Sequence, residues 1–150
     1  MTMLQPCKEL TLSTLDNGSD TISPTSRIVW RNGKHSQAVL GKELIDQYKV
    51  GNFYLVLLTE DCPFEEALHI YLFDSNADLV DHLELSAAYH AGIFKLKALH
   101  DDGLSFSFFS EEELWQLRCL KSPKWRLPRL FSPVKSSRGF GRAMLVLFQH

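Results

Sequence analysis

The apolar run Phe53-Tyr54-Leu55-Val56-Leu57-Leu58 lies near the middle of the 150-residue chain and decides its fold class. The run is too short to cross a membrane and is rich in aromatic and branched side chains, so it predicts a β-strand that is buried on both faces. Apolar segments follow at short, regular spacing with turn residues between them, over residues 67–73, 79–85, 93–99 and 104–109. This spacing is typical of an antiparallel meander and not of alternating strands and helices.

The length and composition favour a single domain. A chain of 150 residues that is 45% hydrophobic can bury one core but has little material for a second. Residues 1–26 are dominated by small polar side chains, which predicts a flexible N-terminal arm ahead of one β-rich domain over residues 27–150. We expect a mainly β fold, an antiparallel meander that closes into a barrel or a sandwich, with one or two short helices. An α+β fold is the alternative.

Two segments before the central run have clear local patterns. Residues 27–30 and 36–40 predict a hairpin, because Asn32-Gly33 between them supplies the positive φ angles that a tight primed turn requires. In residues 42–49, Leu44, Ile45 and Tyr48 stand at helical spacing. That spacing predicts a short helix.

The C-terminal third has conflicting signals. Ser110 followed by Glu113 has the form of a helix-capping box, whereas Trp115, Leu117 and Cys119 alternate as in a strand. The meander context favours a strand over residues 110–120, and the helix stays open. Prolines at 123, 128 and 133 then predict a surface coil over residues 121–142, followed by a last apolar strand over residues 143–148.

The hairpin of residues 67–73 and 79–85 predicts two histidines in contact. With Ser75-Asn76 as its turn, His69 pairs with His82 on one face of the sheet, and Glu84 lies one step along. Imidazole and carboxylate groups are ligands for zinc and other transition metals. His69, His82 and Glu84 are therefore a candidate metal site, although histidines on a sheet more often serve without a metal.

The segment Glu60-Asp61-Cys62-Pro63-Phe64-Glu65-Glu66 places four carboxylates around one thiol and one aromatic ring. Its proline and its charge predict a loop. Clustered carboxylates suit a cation or a basic surface, but the loop lacks the spaced Asp/Asn-Gly pattern of a calcium loop. The surrounding negative charge disfavours the thiolate that a catalytic cysteine needs.

The net charge of −2 is unevenly distributed. Residues 121–150 carry seven basic side chains and no acid, which leaves nine basic and eighteen acidic side chains in residues 1–120. Aromatic rings among the basic residues of this tail suit phosphate contacts and base stacking. Because nucleic-acid-binding domains are usually basic overall, single-stranded nucleic-acid binding is the weaker interpretation.

The motifs of serine hydrolases, zinc proteases and nucleotide-binding loops are absent from the sequence. We therefore expect a binding protein rather than an enzyme, for example an immunity- or inhibitor-type protein that neutralises a basic partner protein. The expected partner-binding residues are Glu60, Asp61, Phe64, Glu65, Glu66, Trp125, Arg126, Arg129, Arg138 and Arg142. The alternative is a small carboxylate- or metal-assisted hydrolase that uses Asp61, Glu65, His69 and His82.

The cysteines and the N-terminus bear on location. Cys7, Cys62 and Cys119 are odd in number and widely spaced, which indicates reduced thiols. The sequence has no signal-like segment and no apolar run long enough for a bilayer. These features predict a soluble cytoplasmic protein without a cofactor or membrane association. They leave open the partner, the oligomeric state and the presence of a ligand cavity.

Overall fold

The computed structural model describes residues 4–15, 24–62, 64–126, 134–136 and 141–149. Within these ranges the chain forms thirteen strands and no helix. The strands are β1 (Leu4–Pro6), β2 (Leu10–Leu15), β3 (Thr25–Trp30), β4 (Val39–Leu40), β5 (Glu43–Val50), β6 (Phe53–Thr59), β7 (Ala67–Phe73), β8 (Leu79–Ser86), β9 (Lys95–His100), β10 (Gly103–Ser107), β11 (Trp115–Arg126), β12 (Val134–Ser136) and β13 (Gly141–Gln149). The prediction of a mainly β fold is confirmed.

The strands form three antiparallel sheets. The central sheet has the order β1-β5-β6-β7-β8-β12, the second has the order β13-β11-β10-β9, and the third has the order β2-β3-β4. Each sheet ends in its own edge strands, so the fold is a layered sandwich and not a closed barrel. The described residues contain no helix of the length and hydropathy that crossing a bilayer requires.

Strand β6 is buried on both faces, as its unbroken apolar sequence predicts. Leu55 and Leu57 pack into a core that the central sheet shares with the second sheet. Tyr54, Val56 and Leu58 pack into another core that the central sheet shares with the third sheet. Because a sheet covers each face, apolar side chains are required at every position and no polar alternation appears.

The prediction of a helix over residues 42–49 is wrong, because this segment forms most of β5. A β-bulge lies between Leu44 and Asp46, where the register with β6 shifts by one residue. The bulge sends Leu44 into one core and Ile45, followed by Tyr48, into the other. The extra residue breaks the two-residue alternation of a strand, and the remaining spacing resembles that of a helix.

The N-terminal segment contributes two strands. β1 pairs with β5, and β2 pairs with β3. Leu4 is buried in one core and Leu10 in the other, which offsets the entropy lost on ordering these strands. The expected flexible arm over residues 1–26 therefore does not describe β1 and β2, while the domain boundary at residue 27 stays a prediction. The predicted hairpin forms between β3 and β4. Its connection is not the predicted primed turn, because Gly33 has a φ of 90° while Asn32 is not among the residues with a positive φ.

The prediction of a coil over residues 121–142 is wrong where strands lie, because β11 runs through Pro123 and β12 and the start of β13 also fall in this span. Residues 127–133 and 137–140 lie outside the described residues. The register of β11 with β13 shifts between Cys119 and Lys124, and its pairing with β10 ends at Arg118. Pro123 therefore lies in an irregular stretch beyond the β10 ladder, where its missing N–H interrupts no bond to that strand. Residues 110–113 form a turn and not a helix, and the favoured strand begins at Trp115.

A buried carboxylate joins the two larger sheets. Asp81 on β8 is fully buried, and its Oδ2 accepts hydrogen bonds from the backbone N–H groups of Met144 at 3.0 Å and Leu145 at 2.9 Å on β13. Its Oδ1 accepts a third from the N–H of His82 at 2.8 Å. Charged acceptors of this kind form the stronger hydrogen bonds of proteins, so Asp81 ties the edge of the second sheet to the central sheet.

Candidate functional site

The histidines that the sequence pairs lie on β7 and β8, which meet in a register two residues away from the predicted one. His69 pairs with Glu84, and Tyr71 pairs with His82. The difference arises in the connection, where the Asp74 carboxylate accepts hydrogen bonds from the N–H groups two and four residues later and so stabilises a longer turn than Ser75-Asn76 alone. A shift of two residues leaves each side chain on its own face, so the two histidines still meet, diagonally.

His69 is the centre of a polar cluster that we call the histidine–glutamate cluster: Glu60, His69, His82 and Glu84. The Nδ1 atom of His69 lies 3.1 Å from Nε2 of His82. Its Nε2 atom lies 2.9 Å from a Glu60 oxygen and 3.7 Å from a Glu84 oxygen. The His69 side chain is fully buried, whereas those of Glu60 and Glu84 are 16% and 22% exposed. The cluster therefore has a buried imidazole and two carboxylates that reach solvent.

Tyr71 forms one wall of the cluster. Its ring stacks on His82 with 4.4 Å between the centroids, and its hydroxyl donates a hydrogen bond to the Leu40 carbonyl at 2.7 Å. Burial raises the pKa of Tyr71 far above its ordinary value, and the carboxylates of Glu84 and Glu60 raise it further. Tyr71 thus stays a neutral donor that fixes the position of the His82 ring.

Glu60 is the member of the cluster that the sequence assigns elsewhere. The sequence predicts a place for it on a partner-binding surface, whereas the structure brings its carboxylate onto His69. Strand pairing of Leu58 with His69 explains the contact, because Glu60 follows Leu58 by two residues and so extends from the same face. The contact between Glu60 and His69 could be predicted only from the register of the β6–β7 hairpin. The sequence does not define that register, because a long loop separates the two strands.

Glu66 holds the acidic loop in one conformation. Its carboxylate is buried and accepts hydrogen bonds from the backbone N–H groups of Glu60 at 2.8 Å, Ala67 at 3.1 Å and Cys62 at 3.1 Å. A carboxylate with three N–H donors is a structural anchor. Glu66 therefore organises the loop from inside, and the exposed acids of this loop are Asp61 and Glu65.

Two aromatic side chains extend into solvent, one from this loop and one from the loop that follows β8. Phe64 is 84% exposed and Tyr89 is 91% exposed. Their loops are joined by a hydrogen bond from the N–H of Glu66 to the carbonyl of His90 at 3.2 Å. Tyr89 also has a φ of 61°, a left-handed conformation that is uncommon for a bulky residue. We call this surface, formed by Asp61, Phe64, Glu65 and Tyr89, the aromatic–acidic face.

The remaining predicted site residues are not brought together in the described part of the chain. Neither Asp61 nor Glu65 forms a hydrogen bond or ion pair with His69, so the residues expected for a hydrolase are divided between the loop and the cluster. Trp125 pairs with Arg142 and Arg126 with Gly141 in the β11–β13 ladder. Arg129 and Arg138 lie outside the described residues, and the role expected for the basic tail stays a prediction.

Comparison with known proteins gives no relative from which a function could be transferred. No protein-family model, no curated protein and no solved structure matches the chain. A function must therefore be inferred from the geometry of the aromatic–acidic face and of the histidine–glutamate cluster.

Proposed function

We propose that the protein is a non-enzymatic binding protein that holds a basic partner protein on its aromatic–acidic face. The observation that carries this proposal is the exposure of Phe64 and Tyr89, at 84% and 91%, on two adjacent and hydrogen-bonded loops. Large aromatic side chains in water carry an unfavourable hydration free energy that burial against a partner would recover. Such side chains are also enriched among the residues that dominate binding energy at interfaces.

Hydrogen bonds within the protein anchor the loops that carry these rings. Glu66 fixes the first loop through three backbone hydrogen bonds, and its own N–H connects that loop to the second at His90. A preorganised loop loses less conformational entropy on association than a mobile one, so more of the contact energy remains as affinity. The left-handed backbone at Tyr89 is consistent with a residue held for a role in recognition.

The charge around the rings favours a basic partner. Asp61 and Glu65 are exposed beside Phe64, and Glu112 is exposed on the neighbouring turn, where the Phe109 ring contacts His90 with 6.0 Å between the centroids. Negative side chains on one face attract a positive surface and accelerate its association. An immunity- or inhibitor-type protein that blocks a basic toxin or enzyme is the concrete form that this chemistry supports.

The test compares two variants that each remove two carboxylates and one exposed apolar side chain, at different places on the protein. The first, Asp61→Asn/Phe64→Ala/Glu65→Gln, removes two carboxylates and one exposed ring from the aromatic–acidic face. The second, Asp78→Asn/Leu99→Ala/Asp101→Asn, makes matched changes at exposed positions near the turns at the opposite ends of the sheets. Wild-type and variant proteins are immobilised, and basic proteins recovered from an extract of the native cells are quantified by mass spectrometry.

We expect the wild type and the distal variant to recover the same basic partner, and the variant of the face to lose at least about tenfold in affinity, or about 1.4 kcal/mol. Rising salt should weaken the wild-type interaction, because exposed charges are screened. Equal recovery by both variants, with circular dichroism spectra that match the wild type, contradicts the proposal.

A further inference from the structure

We propose that Glu60, His69 and Glu84 form a binding site for one divalent transition metal ion, for which Zn²⁺ is the reference ion. Each residue offers one donor atom, and these atoms all lie within 4.8 Å of one another. The site draws on the ends of three consecutive segments, since Glu60 follows β6, His69 lies on β7 and Glu84 lies on β8. This inference does not depend on the proposed partner protein.

The two donor spacings that involve His69 lie close to those around a tetrahedral ion. Zinc binds imidazole nitrogen and carboxylate oxygen at about 2.0–2.2 Å, which places neighbouring donors of a tetrahedron about 3.3–3.6 Å apart. The Nε2 atom of His69 lies 2.9 Å from the Glu60 oxygen and 3.7 Å from the Glu84 oxygen, on either side of that value. The Glu60 and Glu84 oxygens lie within 4.8 Å of each other, and the other Glu84 oxygen accepts a hydrogen bond from the Ser86 hydroxyl at 2.8 Å, so both carboxylates would adjust around a bound ion.

The donor types and their exposure agree with this geometry. One neutral imidazole and two carboxylates balance the charge of a divalent ion, and transition metals accept this mixture of nitrogen and oxygen. Glu60 and Glu84 are partly exposed while His69 is fully buried, so an ion bound between them would face solvent on one side. Three protein ligands with an open fourth position is the arrangement that leaves room for a water molecule.

His82 supports the site from behind. A metal-binding histidine usually has its second ring nitrogen in a hydrogen bond, which fixes the tautomer and the orientation of the ring. Here Nδ1 of His69 lies 3.1 Å from Nε2 of His82, and Tyr71 stacks on the His82 ring. The sequence predicts His69, His82 and Glu84 as ligands, whereas the structure favours Glu60 in place of His82. His82 then has a positioning role, because it contacts the second ring nitrogen of His69.

The surroundings give an independent reason to expect a ligand for this cluster. The same face of β6 and β7 carries Val56, Leu58 and Phe73, which are fully buried in an apolar core. Removing the His69 imidazole and its neighbouring carboxylates from water costs free energy. Apolar side chains in their place would usually stabilise the fold at least as well. A bound cation would compensate the carboxylates, which explains the presence of a polar cluster there.

The test uses the full chain without a histidine tag, stripped of metal with a chelator. Zn²⁺ is titrated by calorimetry, and Co²⁺ is added as a probe whose visible absorption reports four-coordinate geometry. The variants are Glu60→Gln and Glu84→Gln, with Glu65→Gln as the matched control, because Glu65 lies in the same loop, carries the same charge and is exposed. His82→Asn tests the positioning role.

We expect one Zn²⁺ per chain in the wild type and the intense visible bands of tetrahedral Co²⁺. Loss of either ligand should weaken binding at least about 100-fold, loss of His82 about tenfold with the stoichiometry unchanged, and the Glu65→Gln variant should bind like the wild type. The Glu65→Gln variant controls for the loss of one negative charge from the same loop, because Glu65 lies outside the donor set.

A second measurement on the wild type alone guards against variants that fail to fold. Imidazole signals are followed by NMR during the Zn²⁺ titration, and the His69 signals should shift while those of the exposed His35, His90 and His100 do not. The proposal is overturned by a wild type that binds neither ion, by ligand variants that bind as tightly as the wild type, or by shifts confined to the exposed histidines.

Discussion

Replacement of Asp81 by alanine tests the contact that joins the two larger sheets. The change removes the acceptor of the Met144 and Leu145 N–H groups, whose bonds are 3.0 and 2.9 Å long, and leaves both donors in a buried environment. Hydrogen bonds to charged groups contribute about 1.5–3 kcal/mol each, and removal of one partner of a buried charged network costs about 3–5 kcal/mol. We expect the free energy of unfolding to fall by about 3–5 kcal/mol.

Urea denaturation followed by circular dichroism measures this loss. With a slope of about 2 kcal/mol per molar urea for a domain of this size, the midpoint should fall by about 1.5–2.5 M. Asp101→Ala is the control, because Asp101 is an exposed carboxylate and surface changes are usually within about 0.5 kcal/mol. Native-state hydrogen exchange should show faster exchange at the Met144 and Leu145 amides in the Asp81 variant. A midpoint within about 0.5 M of the wild type, or unchanged protection of those amides, would refute the role given to Asp81.

Three further predictions concern Cys119 and Gly103. Burial, with a smaller effect from Asp102, raises the pKa of Cys119 to about 12 from an ordinary value of 9.0. A thiol reagent at pH 8 should therefore label the exposed Cys62 of the native protein and reach Cys119 only after denaturation, and equal rates would contradict this. Between about pH 9 and pH 12 the thiol of Cys119 ionises in the unfolded chain but not in the folded one, so the free energy of unfolding should fall as pH rises through this range. The Cys119→Ser variant should show a smaller fall. Gly103→Ala places a Cβ 1.8 Å from the Leu117 carbonyl oxygen, so it should destabilise by more than about 3 kcal/mol, against about 1 kcal/mol for Gly33→Ala in open space at a φ of 90°. Equal urea midpoints for the two glycine variants would count against the close packing of β10 on β11.

The fold class could be predicted because its main signal is local. The run that forms β6 predicts a strand buried on both faces, because every position from Phe53 to Leu58 is apolar and the run is shorter than a typical helix. The segment that forms β5 misleads the prediction because its bulge at Ile45 removes the two-residue period on which strand prediction depends. The segment becomes a strand because it pairs with β1 and β6, and these pairings cannot be predicted from its local sequence pattern.

The candidate site could be predicted in part. The contact of His69 with His82 survives an error of two residues in register, because an even shift keeps a side chain on its face. The contact of Glu60 with His69 depends on where the preceding hairpin closes, and the roles of Glu66 and Asp74 depend on loop conformation. Loop geometry is set by hydrogen bonds to backbone N–H groups, which composition does not reveal.

Site-specific photocrosslinking tests the central claim that the aromatic–acidic face meets a basic partner. A photoreactive phenylalanine analogue is introduced in separate proteins at Phe64, at Tyr89 and at Asn76, an exposed residue at the opposite end of β7. After irradiation in the native cells, we expect one basic protein to be crosslinked from positions 64 and 89 and not from position 76. Crosslinking from position 76 alone, or from none of the three, would contradict the account.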